Sequence, residues 1–208
     1  MPTHIYHITH IDNLPKIIAA GGLWSDARVR QQQASGVVIG YDHIKQVRLE
    51  KAVPCHPGTN VGDYVPFYFC PRSTMLYVIN RGNNELSFKG GQTPIIHLVS
   101  TIEYADHELR TQRMAFTDGN ARTSFTGFFS DFSLLETEVD WNAVNATDWR
   151  DPAVKERKQA EFLVHDSFPW AGIVGIGVMN AEVEQRVHKL LAEAEYKPSV
   201  KILPTWYY

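Results

Sequence analysis

A carboxylate embedded in an apolar segment is the first candidate for chemistry. Residues 156–164 read Glu-Arg-Lys-Gln-Ala-Glu-Phe-Leu-Val. A strand over residues 160–164 would place Glu161 and Leu163 on one face, with Gln159 on the same side. Burying a carboxylate costs free energy unless it has a partner or a task, so Glu161 is a candidate catalytic residue. The alternative is a surface glutamate at a strand edge, and spacing alone favours that alternative.

Three histidines recur at every third residue near the start of the chain, at His4, His7 and His10. This spacing suggests a metal site. A strand over residues 4–8 would point His7 away from His4 and His10, however, so the three rings would not converge on one ion. The histidines either pack within the first strand or line a polar ligand pocket, and the pattern alone favours packing.

A basic helix is the third candidate. Residues 41–51 predict a helix on which Lys45, Arg48 and Lys51 lie near one face. Such a face is usually solvated, but it also suits phosphates, because lysine and arginine pair well with them.

An aromatic segment over residues 63–77 is the fourth candidate. A segment so rich in aromatic residues usually belongs to the core. However, Arg72 and Ser73 follow Pro71, which ends the predicted strand, and an anion could bind there beside a surface on which a ring can stack. The segment is therefore either part of the core or a nucleotide-binding surface.

The elements that would position these residues form an α+β chain with a mainly antiparallel sheet. Thr9 or Asp12 is expected to cap the first helix, and Gly21 with Gly22 to end it. Strands are predicted at 4–8, 65–70, 94–100, 160–164, 173–178 and 200–203, and helices at 12–20, 41–51, 73–80 and 182–195.

Residues 116–151 show no sustained period and predict a long ordered loop with short helical turns. Its aromatics either stack on a ligand or pin the loop to the core, and pinning is expected for Phe128 and Phe129. The full set is Phe116, Phe125, Phe128, Phe129 and Trp141.

Composition limits the classes of protein. The 208 residues carry a net charge of −3, so any contact with nucleic acid would come from a local basic patch. Neither Cys55 nor Cys70 lies in a Cys-x-x-Cys pair, which argues against zinc. P-loop, dinucleotide-binding and nucleophile-elbow motifs are missing from the sequence. Without a membrane-length apolar run or a signal-like start, one cytoplasmic domain over residues 1–208 is expected.

Taken in order, these segments resemble the DarT family of DNA ADP-ribosyltransferases, the toxins of DarT–DarG toxin–antitoxin systems. The resemblance extends over nearly the whole chain. Its motifs lie at residues 5–10, 13–14, 21–23, 63–69, 71–77, 158–164 and 206–208. Thr74 departs from the pattern, which has proline there, and this change should loosen the turn while leaving the chemistry intact. The resemblance implies an ADP-ribosyltransferase-like fold, with a split sheet, an NAD⁺-binding cleft and a long substrate loop.

The resemblance also implies roles for single residues. Glu161 would be the catalytic glutamate, with Gln159 helping to choose the acceptor, and Arg48 would lie over the NAD⁺ phosphates and the reacting base. NAD⁺ would be the co-substrate, with no metal required. The implied NAD⁺-binding residues are His7, Thr9, Asn13, Leu23, Arg48 and Tyr68, and the implied DNA-binding residues are Arg72, Met75, Thr117, Asp118, Asn120 and Arg122.

The implied reaction transfers ADP-ribose from NAD⁺ to a base, thymine above all, in single-stranded DNA. Glu161 would stabilise the oxocarbenium-like ribose and accept the N3 proton of thymine. If that carboxylate is unpaired, removing it relieves a desolvation cost, and the fold should tolerate Glu161→Ala. The implied partners are single-stranded DNA and a DarG-type macrodomain antitoxin that reverses the modification. The protein is expected to be a monomer.

Other functions remain open at this stage. The same cleft could modify guanine, RNA or protein. A different class is a non-catalytic nucleotide- or DNA-binding module in which His7 and Glu161 are structural. A third is a metal-dependent nuclease that uses His4, His7 and His10.

Overall fold

An eight-stranded sheet organises the chain, which a computed structural model describes over residues 2–208. The strands within these residues are β1 (His4–His10), β2 (Gly22–Trp24), β3 (Tyr64–Tyr68), β4 (Ile95–Thr101), β5 (Met114–Thr117), β6 (Phe128–Phe129), β7 (Glu161–His165), β8 (Ser167–Pro169), β9 (Gly175–Val178) and β10 (Ser199–Ile202). The large sheet has the spatial order β10-β9-β4-β1-β3-β7-β5-β6, and β2 pairs with β8 in a small second sheet. All pairs are antiparallel except β10 with β9.

Short helices connect the strands and bury their apolar residues against the sheet, as Leu76 and Ile79 do from the helix after β3. That helix begins where the Ser73 side chain accepts a hydrogen bond from the backbone N–H of Leu76. The helices are α1 (Leu14–Ala19), α2 (Asp26–Gln31), α3 (Asp42–Glu50), α4 (Thr74–Asn80), α5 (Ile102–Glu108), α6 (Leu135–Glu138), α7 (Trp141–Asn145), α8 (Pro152–Arg157) and α9 (Ala181–Leu190).

The large sheet splits at its centre, between β1 and β3. β1 is in register with β4 over its whole length. Within the described residues, β1 and β3 share a single register pair, Tyr6 with Tyr68. Beside that pair, Nδ1 of His7 lies 2.8 Å from the carbonyl oxygen of Pro66. A side-chain contact therefore stands where backbone hydrogen bonds between β1 and β3 would otherwise form. This confirms the split, mainly antiparallel sheet predicted from the sequence.

The two faces of the sheet are packed differently. One face carries the main core, with Ile5, Phe67 and Phe162 all fully buried. The other face carries two smaller apolar clusters, one around Ile8, Leu76 and Ile95 and one around Val61, Tyr64 and Leu163. Strand alternation places Tyr68 and Glu161 on this second face, where the two clusters meet.

Several predicted elements are confirmed with small shifts in their bounds, including the basic helix α3 and the strands β1, β3, β4, β7, β9 and β10. The predicted cap of the first helix is wrong. The ring of His10 accepts from the N–H of Asp12 and caps a 3-10 turn, Ile11–Asn13, that precedes α1. As expected, Gly21 adopts a positive φ of 75° just after α1.

The long loop at 116–151 is only partly a loop. Its first residues belong to β5, which continues the large sheet beyond β7, and Phe128–Phe129 forms the edge strand β6. The helices α6 and α7 account for the predicted helical turns. The sequence also failed to predict α2, α5 and α8 and the small sheet of β2 with β8.

Candidate active site at the split of the sheet

A buried ion pair between Arg48 and Glu161 lies at the centre of the second face. One terminal nitrogen of Arg48, Nη1, is 3.0 Å from Oε1 and 2.9 Å from Oε2 of Glu161. The exposed fractions of the two side chains are 11% and 6%. The expected relief of a desolvation cost on removing this carboxylate is therefore wrong, because its removal would leave Arg48 buried without a partner. Arg48 comes from a helix 113 residues away in sequence, and no local pattern connects the two.

The second terminal nitrogen of Arg48 is not used in the ion pair. Nη2 of Arg48 is buried and has no hydrogen-bond partner among residues 2–208. Burial is the largest single effect and lowers the pKa of Arg48, but the charges of Glu161 and Asp26, together with the hydrogen bond to Glu161, outweigh it, and the pKa is raised overall. Arg48 is therefore a fixed cation with one unused donor group. A buried donor left unpaired costs free energy unless a ligand binds it.

The backbone around Glu161 is held by the strand next to it. The Thr117 hydroxyl accepts a hydrogen bond from the N–H of Glu161 at 2.9 Å and donates to the carbonyl oxygen of Gly119 at 2.7 Å. The N–H of Ala121 lies 3.3 Å from Oε1 of Glu161. Since Thr117 is fully buried, its side chain positions the glutamate and is not accessible to DNA.

Tyr68 lies beside the ion pair on the neighbouring strand, and Tyr6 lies beside Tyr68. Register pairs place Tyr6 opposite Tyr68 and Tyr68 opposite Glu161, so the three side chains form a row across β1, β3 and β7. Burial and then the charge of Glu161 raise the pKa of the Tyr68 phenol. Tyr68 is therefore a neutral hydroxyl that can donate a hydrogen bond to a ligand.

His7 lies at the split itself and is neutral at pH 7. Burial lowers its pKa, and the hydrogen bond to the Pro66 carbonyl offsets only part of that effect. Asp26 pairs with Lys45 at 3.2 Å, and the Asp26 charge acts on both His7 and Arg48. This common neighbour places the first strand and the basic helix at the same site.

The remaining predicted NAD⁺-binding residues lie in β1, in the 3-10 turn that follows it and in β2. Asn13 donates to the hydroxyl of Thr9 at 3.1 Å and forms two hydrogen bonds, of 2.9 and 2.7 Å, with the backbone of Val37. The segment between α2 and α3 is therefore tied to Asn13. Leu23 is 4% exposed and belongs to the main core, so its side chain is not available to a ligand.

The segment 118–127 forms a compact loop beside the ion pair. The side chain of Asn120 donates to Oε1 of Gln159 at 2.8 Å, and Thr123 donates to Glu156 at 2.9 Å. Asp118 accepts from the N–H of Gly127 at 2.9 Å. Asn120 and Asp118 thus shape the loop, whereas the side chain of Arg122 is exposed at its surface.

The aromatic residues of this region separate clearly by burial. Phe116 is fully buried, Phe129 stacks on it at 5.1 Å, and Trp141 packs against Phe69. Phe125 is 99% exposed. The expected pinning of Phe128 and Phe129 to the core is confirmed, since both pack against buried clusters.

Arg72 and Met75 lie beyond the end of β3. The guanidinium of Arg72 stacks on the ring of Tyr208 at 4.4 Å, which is a cation–π contact. Met75 is partly buried against the apolar cluster around Leu76. The predicted DNA-binding residues therefore fall into two groups on either side of the ion pair, one in the loop and one at Arg72.

A metal site is not supported. Over residues 2–208, no group of three or more His, Cys, Asp or Glu side chains is arranged to hold a metal ion. His10 instead packs edge-on against Phe88 at 5.3 Å, while His7 bonds across the split. In the same part of the chain, no helix is long and apolar enough to cross a membrane.

Comparisons with known proteins agree with this geometry. Residues 6–208 match the family model described as ssDNA thymidine ADP-ribosyltransferase, DarT. A DNA ADP-ribosyl transferase of Thermus sp. (strain 2.9) is 44% identical over 210 residues, which cover 100% of this chain and 97% of that protein. A DNA ADP-ribosyl transferase-DNA ADP-ribosyl glycohydrolase fusion protein of Thermosipho africanus is 29% identical and covers 90% of this chain and 45% of its own length.

Two solved structures of Thermus sp. 2.9 DarT are similar to the whole chain at 42% identity. The complex with ADP-ribosylated ssDNA has a TM-score of 0.92 and covers 100% of this chain and 97% of that one. The complex with NAD⁺ has a TM-score of 0.86 and covers 100% and 98%. The similarity therefore includes the sheet, the ion pair region and the loop.

Proposed function

This chain belongs to the DarT family of ssDNA thymidine ADP-ribosyltransferases, and we propose that the site around Arg48 and Glu161 transfers ADP-ribose from NAD⁺ to thymine in single-stranded DNA. The buried pair, with one arginine nitrogen left unpaired, is the observation that carries the proposal. Residues 1–208 serve as one catalytic domain. The enzyme uses NAD⁺ as a co-substrate.

Glu161 stabilises the charge that develops during the reaction. Breaking the bond between nicotinamide and ribose leaves positive charge on the ribose, and a fixed carboxylate nearby lowers the free energy of that transition state. Glu161 is well fixed, because Thr117 holds its backbone and Arg48 holds its oxygens. Thymine N3 is a weak nucleophile until it loses its proton, and Glu161 is the carboxylate placed to accept that proton.

Arg48 serves both the carboxylate and the substrates. Nη1 keeps Glu161 oriented, while Nη2 binds an oxygen of the NAD⁺ phosphates or of the reacting base. A planar guanidinium can make both contacts at once, because its donors point in fixed directions. The main role of the ion pair is then to orient the Glu161 carboxylate and the Arg48 guanidinium, because a buried ion pair on its own adds little to the free energy of unfolding.

NAD⁺ binds along the split of the sheet. His7, Thr9 and Tyr68 contact the nicotinamide ribose end, and Leu23 contributes its backbone. Asn13 completes this set once the segment at Val37, which now occupies its carboxamide, moves aside. A neutral His7 suits this position, because an added cation would repel the nicotinamide ring, which is positively charged in NAD⁺.

The target base enters between the loop and Arg72. Single-stranded DNA is the fitting acceptor, because N3 of thymine is occupied in a base pair and unpairing would cost free energy. Arg122 and the loop backbone at Asp118 and Asn120 contact one side of the strand, while Arg72 and Met75 contact the other. The net charge of −3 agrees with a short bound segment held by local cations.

The partner in the cell is a DarG-type antitoxin that removes the modification. The fusion of a related transferase to a DNA ADP-ribosyl glycohydrolase in Thermosipho africanus supports this pairing. We further propose that the protein is a cytoplasmic monomer, acting where both NAD⁺ and single-stranded DNA occur.

The test is to incubate the purified protein with NAD⁺ labelled in its ADP-ribose part and with separate acceptors. The acceptors are single-stranded DNA, the same DNA as a duplex, RNA of the same sequence and total protein. We expect label in the single-stranded DNA only, and none in an oligonucleotide without thymine. Label in a thymine-free strand that contains guanine, or in RNA or protein, would contradict the proposal and favour the corresponding alternative.

A further inference from the structure

A cavity lies beyond the ends of β3 and β7 that hold Tyr68 and Glu161. Its volume is about 160 Å³, and its lining includes Cys70, Arg72, Trp149, Lys158 and Tyr208. Cys70 comes two residues after Tyr68, and Lys158 comes three residues before Glu161. Because an extended chain spans at most about 3.3–3.6 Å per residue, these two lining residues lie within about 7–11 Å of the row that contains Glu161. That separation suits the nucleotide next to the reacting base.

Arg72 is held in place at the mouth of the cavity. Its guanidinium stacks on Tyr208, whose hydroxyl donates to the backbone carbonyl oxygen of Arg72 at 2.9 Å. Burial raises the pKa of Tyr208 to about 12, so this hydroxyl keeps its proton. Nε of Arg72 is buried and unpaired within the described chain. Arg72 is thus an oriented cation with an unused donor.

The charged side chains that line the cavity, those of Arg72 and Lys158, are both cationic. Lys158 is 3% exposed, and its ammonium group donates to the carbonyl oxygen of Val144 at 2.6 Å and to the sulfur of Cys70 at 3.6 Å. An ammonium group has three donors, and these contacts account for two. No aspartate or glutamate belongs to the lining. In a chain with a net charge of −3, this is a local site for an anion.

The cavity on the loop side has the opposite charge. It is lined by the carboxylates of Asp118, Glu138, Asp140 and Glu156, against the single cation Arg157, which already pairs with Asp140 at 3.0 Å. A phosphate group would be repelled from the inside of that cavity, so the loop contacts the strand through Arg122 and through bases rather than through this cavity. Of the two cavities, the one at Arg72 is therefore the one that can take a phosphate.

The cavity also offers a surface for a base. Trp149 is half-buried and packs edge-on against Tyr77 at 4.9 Å, and Tyr77 packs in turn against Tyr208 at 5.1 Å. Aromatic side chains held in this way provide fixed stacking platforms for unpaired bases. An anion site next to a stacking platform matches one nucleotide of a single strand.

We propose that the cavity lined by Arg72, Lys158, Trp149 and Tyr208 binds the phosphate and base of the nucleotide that flanks the modified thymine. Arg72 contacts the phosphate, Trp149 stacks on the base, and Tyr208 is a positioning residue for Arg72. The inference rests on the proposed function, because it assumes that the acceptor is single-stranded DNA. It explains how an acidic protein fixes the register of the strand.

The test uses a thymine-containing oligonucleotide and a set of copies in which one phosphodiester at a time is replaced by an uncharged methylphosphonate. Binding is measured by fluorescence anisotropy for the wild type, Arg72→Gln and the matched control Arg81→Gln, which alters an exposed arginine just past the other end of α4. We expect one linkage next to the thymine to weaken wild-type binding about tenfold when neutralised. Arg72→Gln should bind the unmodified oligonucleotide about tenfold more weakly than the wild type, and neutralising that linkage should not weaken its binding further. Its salt dependence should fall by about one unit of slope, while Arg81→Gln behaves as the wild type.

Two further variants separate positioning from packing. Tyr208→Phe keeps the ring and should bind nearly as the wild type, whereas Tyr208→Leu should reproduce the loss of sensitivity to the neutral linkage. Thermal unfolding midpoints identify any variant that fails to fold. If Arg72→Gln retains the wild-type response to every methylphosphonate, the phosphate site is excluded. If the wild type modifies no DNA at all, it is the proposed function that fails.

Discussion

Arg48 and Glu161 form a buried pair, and in the proposed function the two residues act together, so neither can be interpreted alone. The sequence indicated a carboxylate with a task, and the structure adds the cation that fixes it. Their separation of 113 residues explains why no spacing rule could have joined them. The unpaired Nη2 of Arg48 could not be predicted from the sequence either, because it depends on which groups the folded chain places around that nitrogen.

The first prediction concerns the stability of the pair. Glu161→Ala leaves Arg48 buried without its partner and should lower the free energy of unfolding by about 3–5 kcal/mol. Replacing both residues, as Arg48→Met with Glu161→Leu, should recover most of that loss. Urea unfolding measures both. Equal stability of Glu161→Ala and the wild type would mean that the two groups do not interact in solution.

The second prediction concerns the identity of the cation. Arg48→Lys can place its one nitrogen on Glu161 but cannot also reach the position of Nη2. We expect its transfer rate to remain about 10²-fold or more below the wild type, close to that of Arg48→Ala. Arg30→Lys, which changes an exposed arginine on α2, is the matched control and should keep the wild-type rate. Full activity in Arg48→Lys would show that charge alone is sufficient.

The segment between β5 and β7 begins beside Glu161. Thr117, the last residue of β5, holds the backbone of Glu161, and the backbone N–H of Ala121 reaches the carboxylate itself. The sequence predicted a functional loop here, because the segment was long and lacked a period. It failed to predict β5 and β6, because strands of four and two residues depend on pairing with distant partners. The helix α2 was also missed, although Ser25 before Asp26 is a recognisable cap.

The third prediction belongs to this loop. Phe125 is 99% exposed on a loop closed by side-chain hydrogen bonds, so folding alone does not explain a large apolar side chain there. We expect Phe125→Ala to reduce DNA modification about fivefold or more, because stacking on a base contributes about 1–3 kcal/mol. The midpoint of thermal unfolding should stay unchanged, because the ring has no packing to lose.

Ser124→Ala is the control for Phe125→Ala, since it alters the neighbouring residue without removing an aromatic ring. Modification kinetics on a pool of oligonucleotides also report the preferred flanking bases. A swap of residues 118–126 for the loop of a relative should change that preference, and Thr117 is kept because it supports Glu161. An unchanged preference in an active swap would assign sequence selection to the cavity at Arg72.

At the scale of the whole molecule, the α+β class and the split sheet followed from residue patterns and the family resemblance. The long buried strand β4 was predictable from its apolar run, and α3 from its basic stripe. What could not be predicted is the order of the strands, which brings β7 beside β3 and places α3 above them. That order depends on packing over the entire core.

The fourth prediction concerns the pH dependence of stability. His97 on β4 is fully buried between the carbonyl oxygen of Pro71 and the hydroxyl of Tyr207, and burial lowers its pKa to about 4. Between pH 6.5 and 4, His97 therefore binds a proton in the unfolded chain but remains unprotonated in the native state. This group should remove about 3 kcal/mol of stability as the pH falls through that range.

Urea unfolding at pH 7, 5.5 and 4.5 measures this effect. His97→Phe should flatten the dependence on pH, even if it lowers stability at pH 7 by breaking the contacts with Pro71 and Tyr207. His107→Gln, at an exposed site, should leave the slope unchanged. A His97→Phe curve parallel to that of the wild type would show that His97 is not the group responsible.

The central claim is that Glu161 drives transfer of ADP-ribose to N3 of thymine, and fragment mass spectrometry tests it most directly. An oligonucleotide with a single thymine is incubated with NAD⁺ and either the wild type or Glu161→Gln, beside a copy that carries N3-methylthymine. We predict one ADP-ribose on the thymine with the wild type, at least 10²-fold less with Glu161→Gln, and none on the methylated copy. An adduct on another base, an adduct on N3-methylthymine, or undiminished yield from Glu161→Gln would contradict the account.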